Sequence, residues 1–352
     1  MNAHTLDTGR SIGPLPVGHP PVMPKKVGVL LVNLGTPDGT TYRPMRRYLK
    51  EFLSDKRVIE WPRLLWYPIL YGIVLNTRPT KSGKAYASIW NEELNESPLR
   101  TFTRAQGEKL AIRMAGSTTV VVDWAMRYGQ PSIAERTDAL MAEGCERILV
   151  YPLYPQYSAS TTATVNDKFF EHMMTKRWMP AVRTVPAYHD DPVYIDALAR
   201  SIEKHLATLD FEPERVITTY HGIPQSYFRK GDPYHCHCQK TSRLLEQRLG
   251  WPKGRLMTTF QSRFGPEEWL QPYTDKTVEA LAKEGIKSIA ILNPGFVSDC
   301  LETLEEIAVE AGEIFLHNGG EKFSHIPCLN DSEEGMDVIE SMVRRELLGW
   351  VG

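Results

Sequence analysis

The sequence predicts an α/β protein made of two similar lobes, each with a parallel sheet covered by helices. From Lys26 onward, short apolar runs alternate with amphipathic windows, as in doubly wound α/β proteins. The runs are polar on neither face, which is typical of strands buried on both sides. Turn residues also recur in the same order in the two halves of the chain.

The individual elements follow from these patterns. Short β-branched and aromatic runs predict strands at residues 27–33, 119–123, 147–151, 182–186, 215–220, 256–261 and 288–292. Apolar residues at helical spacing predict helices at residues 101–114, 133–142, 193–206, 239–249, 274–283, 301–315 and 337–348.

The matching turn segments are residues 33–37 with 221–224, 126–129 with 262–265, 143–144 with 284–285, and 155–158 with 294–298. One interval differs, because Gly35 and Gly129 are 94 positions apart whereas Gly222 and Gly265 are 43 apart. The first half therefore carries an insertion. We predict two lobes that face each other across a cleft, which is a common place for a small ligand.

The inserted segment, about residues 41–92, contains an apolar and aromatic run at residues 61–75. It could be additional core, or a lip over the cleft that meets an apolar ligand or lipid. Its longest nearly unbroken apolar part, residues 64–75, is too short to span a bilayer.

We divide the chain into four parts. Residues 1–24, rich in Gly and Pro, are predicted to be a disordered tail. Lobe I covers 25–178 and includes the insertion, and lobe II covers 179–330 and carries the candidate catalytic residues. Residues 331–352 form a C-terminal helix that packs back on lobe I.

Composition excludes several function classes. Lys and Arg number 41 against 43 Asp and Glu, so no net field would recruit nucleic acid. Glycine-rich phosphate-binding patterns are absent. Five scattered cysteines indicate reduced thiols in a cytoplasmic protein, and the apolar run could make a peripheral contact at the inner face of the membrane.

His221 is the first candidate for chemistry. It ends the strand predicted at residues 215–220, where Gly222 and Pro224 break the chain, and open α/β sheets bind ligands at this edge. An imidazole changes charge near neutral pH, although a histidine at a strand end can equally be a hydrogen-bonded structural residue. The matching position in lobe I is Asn33, so His221 is the titratable member of the pair.

A column of carboxylates is the second candidate. Glu302, Glu306 and Glu310 are spaced i, i+4 and i+8 on the helix predicted at residues 301–315, where each like-charge pair costs roughly 0.2–0.5 kcal/mol. They could form a solvated face, with Asp299 and Glu302 as a capping box. They could instead carry protons or a divalent cation, and together with the imidazole of His221 they suit ferrous iron.

His235-Cys236-His237-Cys238 invites a metal-site interpretation, but no second cysteine pair follows at zinc-site spacing. We interpret this stretch as a loop that enters the helix predicted at residues 239–249.

Five ordered motifs, at residues 29–37, 151–162, 221–224 with 231–234, 260–270 and 296–303, resemble the ferrochelatase family. The resemblance extends from about Lys26 to the end of the chain. It implies the chelatase fold of two Rossmann-like lobes and a lyase that inserts Fe²⁺ into protoporphyrin IX to form protoheme, the terminal step of heme biosynthesis.

The resemblance also implies roles for individual residues. His221 matches the catalytic histidine and Glu302 its partner carboxylate, and Asp299, Glu306 and Glu310 join them as residues that handle metal or protons. The implied porphyrin-binding residues are Arg78, Tyr86, Tyr157, Ser158, Trp269 and Phe296. The insertion resembles a lip through which members sit on a membrane.

Two positions depart from patterns seen in the family. Cys300 stands where some members have histidine, so a role for that histidine does not transfer. Members with a [2Fe-2S] cluster add cysteines in a C-terminal extension and one within the Tyr-Ser-x-Ser motif; here that position is Ala159, and the chain ends at Gly352. We therefore expect no cluster and no other cofactor, with Fe²⁺ as a substrate.

Two alternatives remain open. The first is a chelatase of the same fold that acts on coproporphyrin III or a sirohydrochlorin, although the apolar run at residues 61–75 favours protoporphyrin. The second is a tetrapyrrole or metal carrier that binds without turnover. The expectation that His221 faces a column of carboxylates argues against this second alternative.

Overall fold

The computed structural model describes residues 25–117 and 119–351, together with residues 4–5, 11–12 and 17–18. The prediction of a disordered tail at residues 1–24 therefore lies largely outside the described residues. Two short antiparallel strands, β1 (His4–Thr5) and β2 (Ser11–Ile12), fall within that range.

The first lobe is a parallel sheet of β3 (Lys26–Gly35), β4 (Val120–Tyr128), β5 (Cys145–Pro152) and β6 (Ala181–Thr184) in the order β4-β3-β5-β6. Helices α4 (Pro98–Arg113), α5 (Ile133–Ala142) and α6 (Thr164–Met173) accompany it, and a π-helical turn at Ala159–Ala163 leads into α6. Because β6 pairs with β5, this sheet extends past the predicted lobe boundary between residues 178 and 179.

The second lobe is a parallel sheet of β7 (Arg215–His221), β8 (Leu256–Gln261), β9 (Ser288–Leu292) and β10 (Lys322–Ile326) in the order β10-β9-β7-β8. Its helices are α7 (Pro192–Leu206), which precedes β7, and α8 (Gln225–Arg229), α9 (Tyr234–Leu249), α10 (Thr274–Lys283), α11 (Leu301–Leu304) and α12 (Gly312–His317). In both sheets the first strand of the lobe lies between its second and third, which confirms the predicted duplication and fold class.

The prediction missed β10. It is an edge strand that pairs only with β9 among the described residues, and only its last residue, Ile326, is buried. Because an edge strand need not be apolar on both faces, Lys322–Ile326 lacks the continuous apolar run that marks the central strands.

Matching glycines have matching backbone conformations in the two lobes. Gly129 (φ 85°) corresponds to Gly265 (φ 74°), and Gly144 (φ 91°) to Gly285 (φ 95°). Gly35 adopts φ 111°, and a Cβ there would lie 1.9 Å from the Tyr128 carbonyl oxygen. At this turn only glycine combines the required torsion with the required space.

The insertion forms a helical lip made of α1 (Tyr42–Leu53), α2 (Arg63–Ile69), a π-helical segment (Leu70–Val74) and α3 (Leu75–Ser88). The apolar residues of the lip divide between two environments. Trp66 and Leu70 are buried in a core under the lip, whereas Leu64, Leu65 and Ile73 are 91%, 63% and 60% exposed. Among the described residues, no helix combines the length and the apolar character needed to cross a membrane.

The C-terminal helix α13 (Glu333–Glu346) lies across α4 of the first lobe and α7. Arg113 of α4 donates to Asp337 at 2.8 Å, and Arg345 donates to Asp191, the N-cap of α7, at 2.6 Å. Buried residues of α13 also join the largest apolar core, which includes residues of both sheets.

Candidate active site

A cavity of about 960 Å³ lies between the two lobes and beneath the lip. Its walls come from the turn after β3, from α1 and α3 of the lip, from the ends of β7 and β8, and from α11 with the segment that follows it. The volume is at the upper end of the range for small-molecule and cofactor sites. The cavity also lies at the carboxyl ends of the strands, as expected for an open α/β sheet.

His221 reaches this cavity from the last position of β7 and is partly buried. Its Nδ1 lies 2.7 Å from the carbonyl oxygen of Gly222, which can only accept, so Nδ1 carries the proton. In the neutral ring Nε2 is then the unprotonated nitrogen. The indole of Trp269 lies beside the imidazole, with 6.3 Å between ring centroids.

The predicted helix at residues 301–315 is not a continuous α-helix. It consists of α11, a π-helical segment at Glu306–Ala311, and α12. In the π segment the Glu310 amide donates to the Glu305 carbonyl at 3.0 Å, an i to i+5 bond. In a π-helical turn each residue is rotated about the helix axis by a smaller angle than in an α-helix. This offsets the angle by which side chains four positions apart diverge around an α-helix. Glu302, Glu306 and Glu310 consequently all line the cavity.

The start of α11 differs from the capping box that we considered. Cys300, not Asp299, is the N-cap, and Thr303 is its reciprocal partner, with the Cys300 amide donating to Thr303 Oγ1 at 3.1 Å. Glu302 is therefore free of a capping role and its side chain faces the cavity.

The environment favours the protonated form of two carboxyls in this wall. Burial raises the pKa of Glu306, and neighbouring Glu302 raises it further, although a hydrogen bond from Ser262 and the nearby imidazole of His221 oppose the change. Burial also raises the pKa of Glu305, with contributions from Glu310 and Glu306. Glu305 and Glu306 therefore take up protons at a higher pH than isolated glutamates do.

Four of the six predicted porphyrin-binding residues line the cavity: Arg78, Tyr86, Trp269 and Phe296. Trp269 is 5% exposed, and its Nε1 donates to the Phe264 carbonyl at 3.0 Å, which fixes the indole against the cavity wall. Arg78 projects from the lip, with its guanidinium 5.7 Å from the centroid of the Phe264 ring. These residues give the cavity flat apolar walls and a cation at its rim.

The other two, Tyr157 and Ser158, do not line the cavity. The Tyr157 amide donates to His237 Nδ1 at 3.2 Å, and the Ser158 hydroxyl donates to Asp232 Oδ2 at 3.0 Å. Both bonds join the loop after β5 to the start of α9, so these residues hold the two lobes together.

Asp299 is also placed outside the cavity wall. It is 4% exposed, and its carboxylate accepts hydrogen bonds from Thr303 Oγ1 at 2.8 Å, Asn330 Nδ2 at 2.6 Å and the Cys328 amide at 3.3 Å. These bonds turn the carboxylate towards the protein interior. Within the part of the chain that the structure describes, no three His, Cys, Asp or Glu side chains are grouped closely enough to hold a metal ion.

The His235-to-Cys238 stretch belongs to a helix, not to a loop before one. Helix α9 begins at Tyr234, five residues earlier than predicted. Cys238 is fully buried, Cys236 is exposed, and His237 stacks on His189 with ring centroids 3.6 Å apart. The alternation of histidine and cysteine in this stretch is therefore explained by the packing of the side chains of α9.

Two residues at the end of β8 contact the carboxylate segment and were not predicted from the sequence. The Gln261 side-chain amide donates to the Glu302 carbonyl at 2.7 Å, and the Ser262 hydroxyl donates to Glu306 Oε2 at 2.5 Å. Ser262 adopts φ 58°, an uncommon conformation for a residue other than glycine. The available signal was position, because the strand predicted at residues 256–261 ends at the same sheet edge as His221.

Comparison with known proteins agrees with this geometry. A family model described as Ferrochelatase matches residues 26–347. The ferrochelatase of Agrobacterium fabrum (strain C58) is 75% identical over 337 residues, which cover 96% of this chain and 98% of the relative. That of Rhizobium meliloti (strain 1021) is 73% identical over 333 residues, covering 95% and 98%.

Solved structures support the fold. SirB from Bacillus subtilis with Fe³⁺ has a TM-score of 0.53 at 14% identity and covers 91% of this chain and 95% of its own. The sirohydrochlorin chelatase SirB from Bacillus subtilis subspecies spizizenii in complex with cobalt has a TM-score of 0.51 at 11% identity, covering 91% and 94%. Fold, family model and close relatives agree, and the chain belongs to the ferrochelatase family.

Proposed function

We propose that this protein inserts Fe²⁺ into protoporphyrin IX to form protoheme, the terminal step of heme biosynthesis, and that His221 accepts the pyrrole protons. One observation carries the proposal. A single cavity between the lobes brings together an imidazole whose Nδ1 is hydrogen-bonded to a backbone carbonyl, a column of three carboxylates and flat apolar walls.

His221 suits the role of base in both chemistry and orientation. Metalation removes two protons from the pyrrole nitrogens, and an imidazole accepts protons near neutral pH. The bond from Nδ1 to the Gly222 carbonyl fixes the ring and leaves Nε2 as its proton acceptor.

The carboxylates are suited to the exchange of Fe²⁺ for the pyrrole protons. Two positive charges enter the macrocycle as Fe²⁺ while two leave as protons, so the cavity needs groups that can associate with either. Carboxylate oxygens are hard ligands that tolerate a divalent cation. Glu302 and Glu306 are nearest to this exchange in our proposal, and Glu310 continues the column towards solvent.

The walls supply binding energy. Trp269, Phe296 and Tyr86 present aromatic surface to a planar macrocycle. Binding energy from such walls can distort the macrocycle and expose its nitrogen lone pairs. Arg78 and Lys81 at the lip are suited to the carboxylates of the porphyrin side chains.

The test is an anaerobic assay that follows loss of free-porphyrin fluorescence after addition of Fe²⁺ or Zn²⁺. We expect multiple turnovers with protoporphyrin IX, and slower metalation of coproporphyrin III and sirohydrochlorin. Binding of one porphyrin per chain without turnover would identify a carrier. Faster metalation of either other tetrapyrrole would identify the alternative chelatase.

We also propose that the protein is cytoplasmic and touches the inner face of the membrane through the lip. The support is the exposure of Leu64 and Leu65, two neighbouring residues of α2, at 91% and 63%. Wild-type protein should float with lipid vesicles, and L64E/L65E should not. Ile112→Glu is the matched control, because Ile112 is 74% exposed but lies on α4, outside the lip. Equal flotation of all three proteins would refute lip contact.

Finally, we propose that the enzyme works without a [2Fe-2S] cluster. Ala159 occupies the position at which cluster-containing members have a cysteine, and Cys145, Cys238 and Cys300 are buried on different elements. Protein purified anaerobically should show no iron–sulfur absorption band, and its presence would overturn this proposal.

A further inference from the structure

Gln261 lies where the elements that carry the candidate base and the candidate carboxylates meet. It is 4% exposed. As the last residue of β8 it pairs with His221 of β7, and its carbonyl accepts the Gly222 amide at 2.7 Å. Its side chain reaches the other way, to the carbonyl of Glu302. A single residue therefore bonds to both sides of the proposed reaction site.

The hydrogen bonds determine the orientation of this side chain. The Glu302 carbonyl can only accept, so the nitrogen of the Gln261 amide must face it, at 2.7 Å. The amide oxygen then accepts from Asn293 Nδ2 at 2.7 Å and from the Thr219 hydroxyl at 3.2 Å. The oxygen of Asn293 in turn lies 3.2 Å from His325 Nε2. Each amide is thereby held in one orientation.

The bond to Glu302 lies next to a break in the helix. Helix α11 ends at Leu304, and the chain continues as a π-helical segment from Glu306. Glu302 is on one side of this break and Glu306 on the other. Short helical pieces gain little rigidity from their own hydrogen bonds. Bonds from other elements therefore help to position the two carboxylates, and Gln261 and Ser262 provide two of them.

We propose that Gln261 is a positioning residue for metalation. Its side chain holds the Glu302 backbone at a fixed place relative to His221. This inference rests on the proposed function. It assigns Gln261 no contact with the reacting atoms; the side chain acts through the segment that it anchors. Because a displacement of about 1 Å at a reaction centre can cost roughly 100-fold in rate, loss of the anchor should appear in kcat.

Gln261→Glu tests the proposal with almost no change of shape. The carboxylate can still accept from Asn293 but meets the Glu302 carbonyl with an oxygen, so the anchoring bond is lost. We expect kcat to fall about tenfold or more, with the Kd for protoporphyrin within about twofold of wild type. A buried carboxyl beside acceptors protonates readily, and the neutral form can donate again. The ratio of variant to wild-type kcat should therefore rise as pH falls from about 8 to about 6.

Gln106→Glu is the matched control. Gln106 is fully buried and donates Nε2 to the Asn330 carbonyl at 2.8 Å and to the hydroxyl of Ser298, a cavity residue, at 3.1 Å, but Gln106 itself does not line the cavity. Its variant should lose stability without the fall in kcat. If Gln261→Glu does not fold, Gln261→Asn shortens the side chain beyond reach of Glu302 and should show the same kcat loss.

Three results would overturn the proposal: unchanged kcat in the Gln261 variant, an equal fall in Gln106→Glu, or no recovery of the Gln261→Glu ratio at lower pH. Activity of the wild-type enzyme, measured in the same assay, separates these results from failure of the proposed function.

Discussion

Replacing Asp55 by Asn should loosen the base of the lip. Asp55 follows α1, and its side chain is 9% exposed against 10% for its ion-pair partner Arg127. The same carboxylate accepts from the Tyr128 hydroxyl at 2.9 Å and from Thr164 Oγ1 at 2.5 Å. It therefore ties the lip to the end of β4 and to the start of α6.

The expected loss of stability follows from the burial of the Asp55–Arg127 ion pair and from the contacts that Arg127 keeps after the substitution. Removing one partner of a buried ion pair costs about 3–5 kcal/mol, because the other charge is left uncompensated. Arg127 would keep its bond to the Thr164 carbonyl at 2.9 Å and a contact with Glu51 at 3.9 Å. We therefore expect Asp55→Asn to lower the free energy of unfolding by about 3 kcal/mol, at the lower end of that range.

The effect should depend on pH. Burial alone raises the pKa of Asp55, but hydrogen bonds from Thr164 and the Arg57 amide, with the charge of Arg127, bring it below its usual 3.8. The native state thus favours the ionised form. The stabilisation is present above the usual pKa and is lost as pH falls through the lower pKa of the folded protein. The difference between wild type and Asp55→Asn should shrink in acid.

Urea unfolding measures this difference, and Asp167→Asn is its control. Asp167, on α6, forms an ion pair at 2.7 Å with Arg57, which lies in the same turn as Asp55. Both side chains of this pair are 45% exposed. An exposed pair contributes about 1 kcal/mol or less. Equal losses from the two substitutions would refute the argument that burial of Asp55 makes it the anchor.

Two further predictions concern titration. Ser262→Ala removes a hydrogen bond that lowers the pKa of Glu306, and the pKa of Glu306 should therefore rise further. The acidic limb of the pH–kcat/KM profile should then move to higher pH. An unchanged profile would contradict this prediction. Burial, with the neighbouring imidazole of His237, lowers the pKa of His189 from 6.5 to about 4. The unfolded chain then binds more protons between these values, so stability should fall as pH drops through this window. His189→Phe should flatten that dependence in urea unfolding, and an equally steep dependence would contradict it.

The sequence predicted the central strands and the main chemistry because both leave local signals. Strands buried on both faces require continuous apolar runs, and this placed β3 and β7 correctly. A histidine at the end of such a strand and glutamates at helical spacing identified His221, Glu302 and Glu306 as candidates, and the family resemblance implied that they act together. In each case the information lies within a few residues along the chain.

The remaining features depend on partners distant in sequence. The direction of the Asp299 carboxylate is set by Asn330 and Cys328, which no local pattern reveals. The π-helical segment changes which backbone groups pair, whereas the apolar spacing fits an ordinary α-helix equally well. The role of Gln261 depends on three other elements that meet only in the folded protein.

The central claim is that His221 is the base for metalation in this cavity. The most direct measurement compares His221→Ala with wild type in the anaerobic protoporphyrin assay, with porphyrin binding measured in parallel. We predict a fall in kcat of about 10² to 10⁴, the usual contribution of general acid–base catalysis, while porphyrin still binds. Metalation within about threefold of wild type, well below that range, would contradict the account.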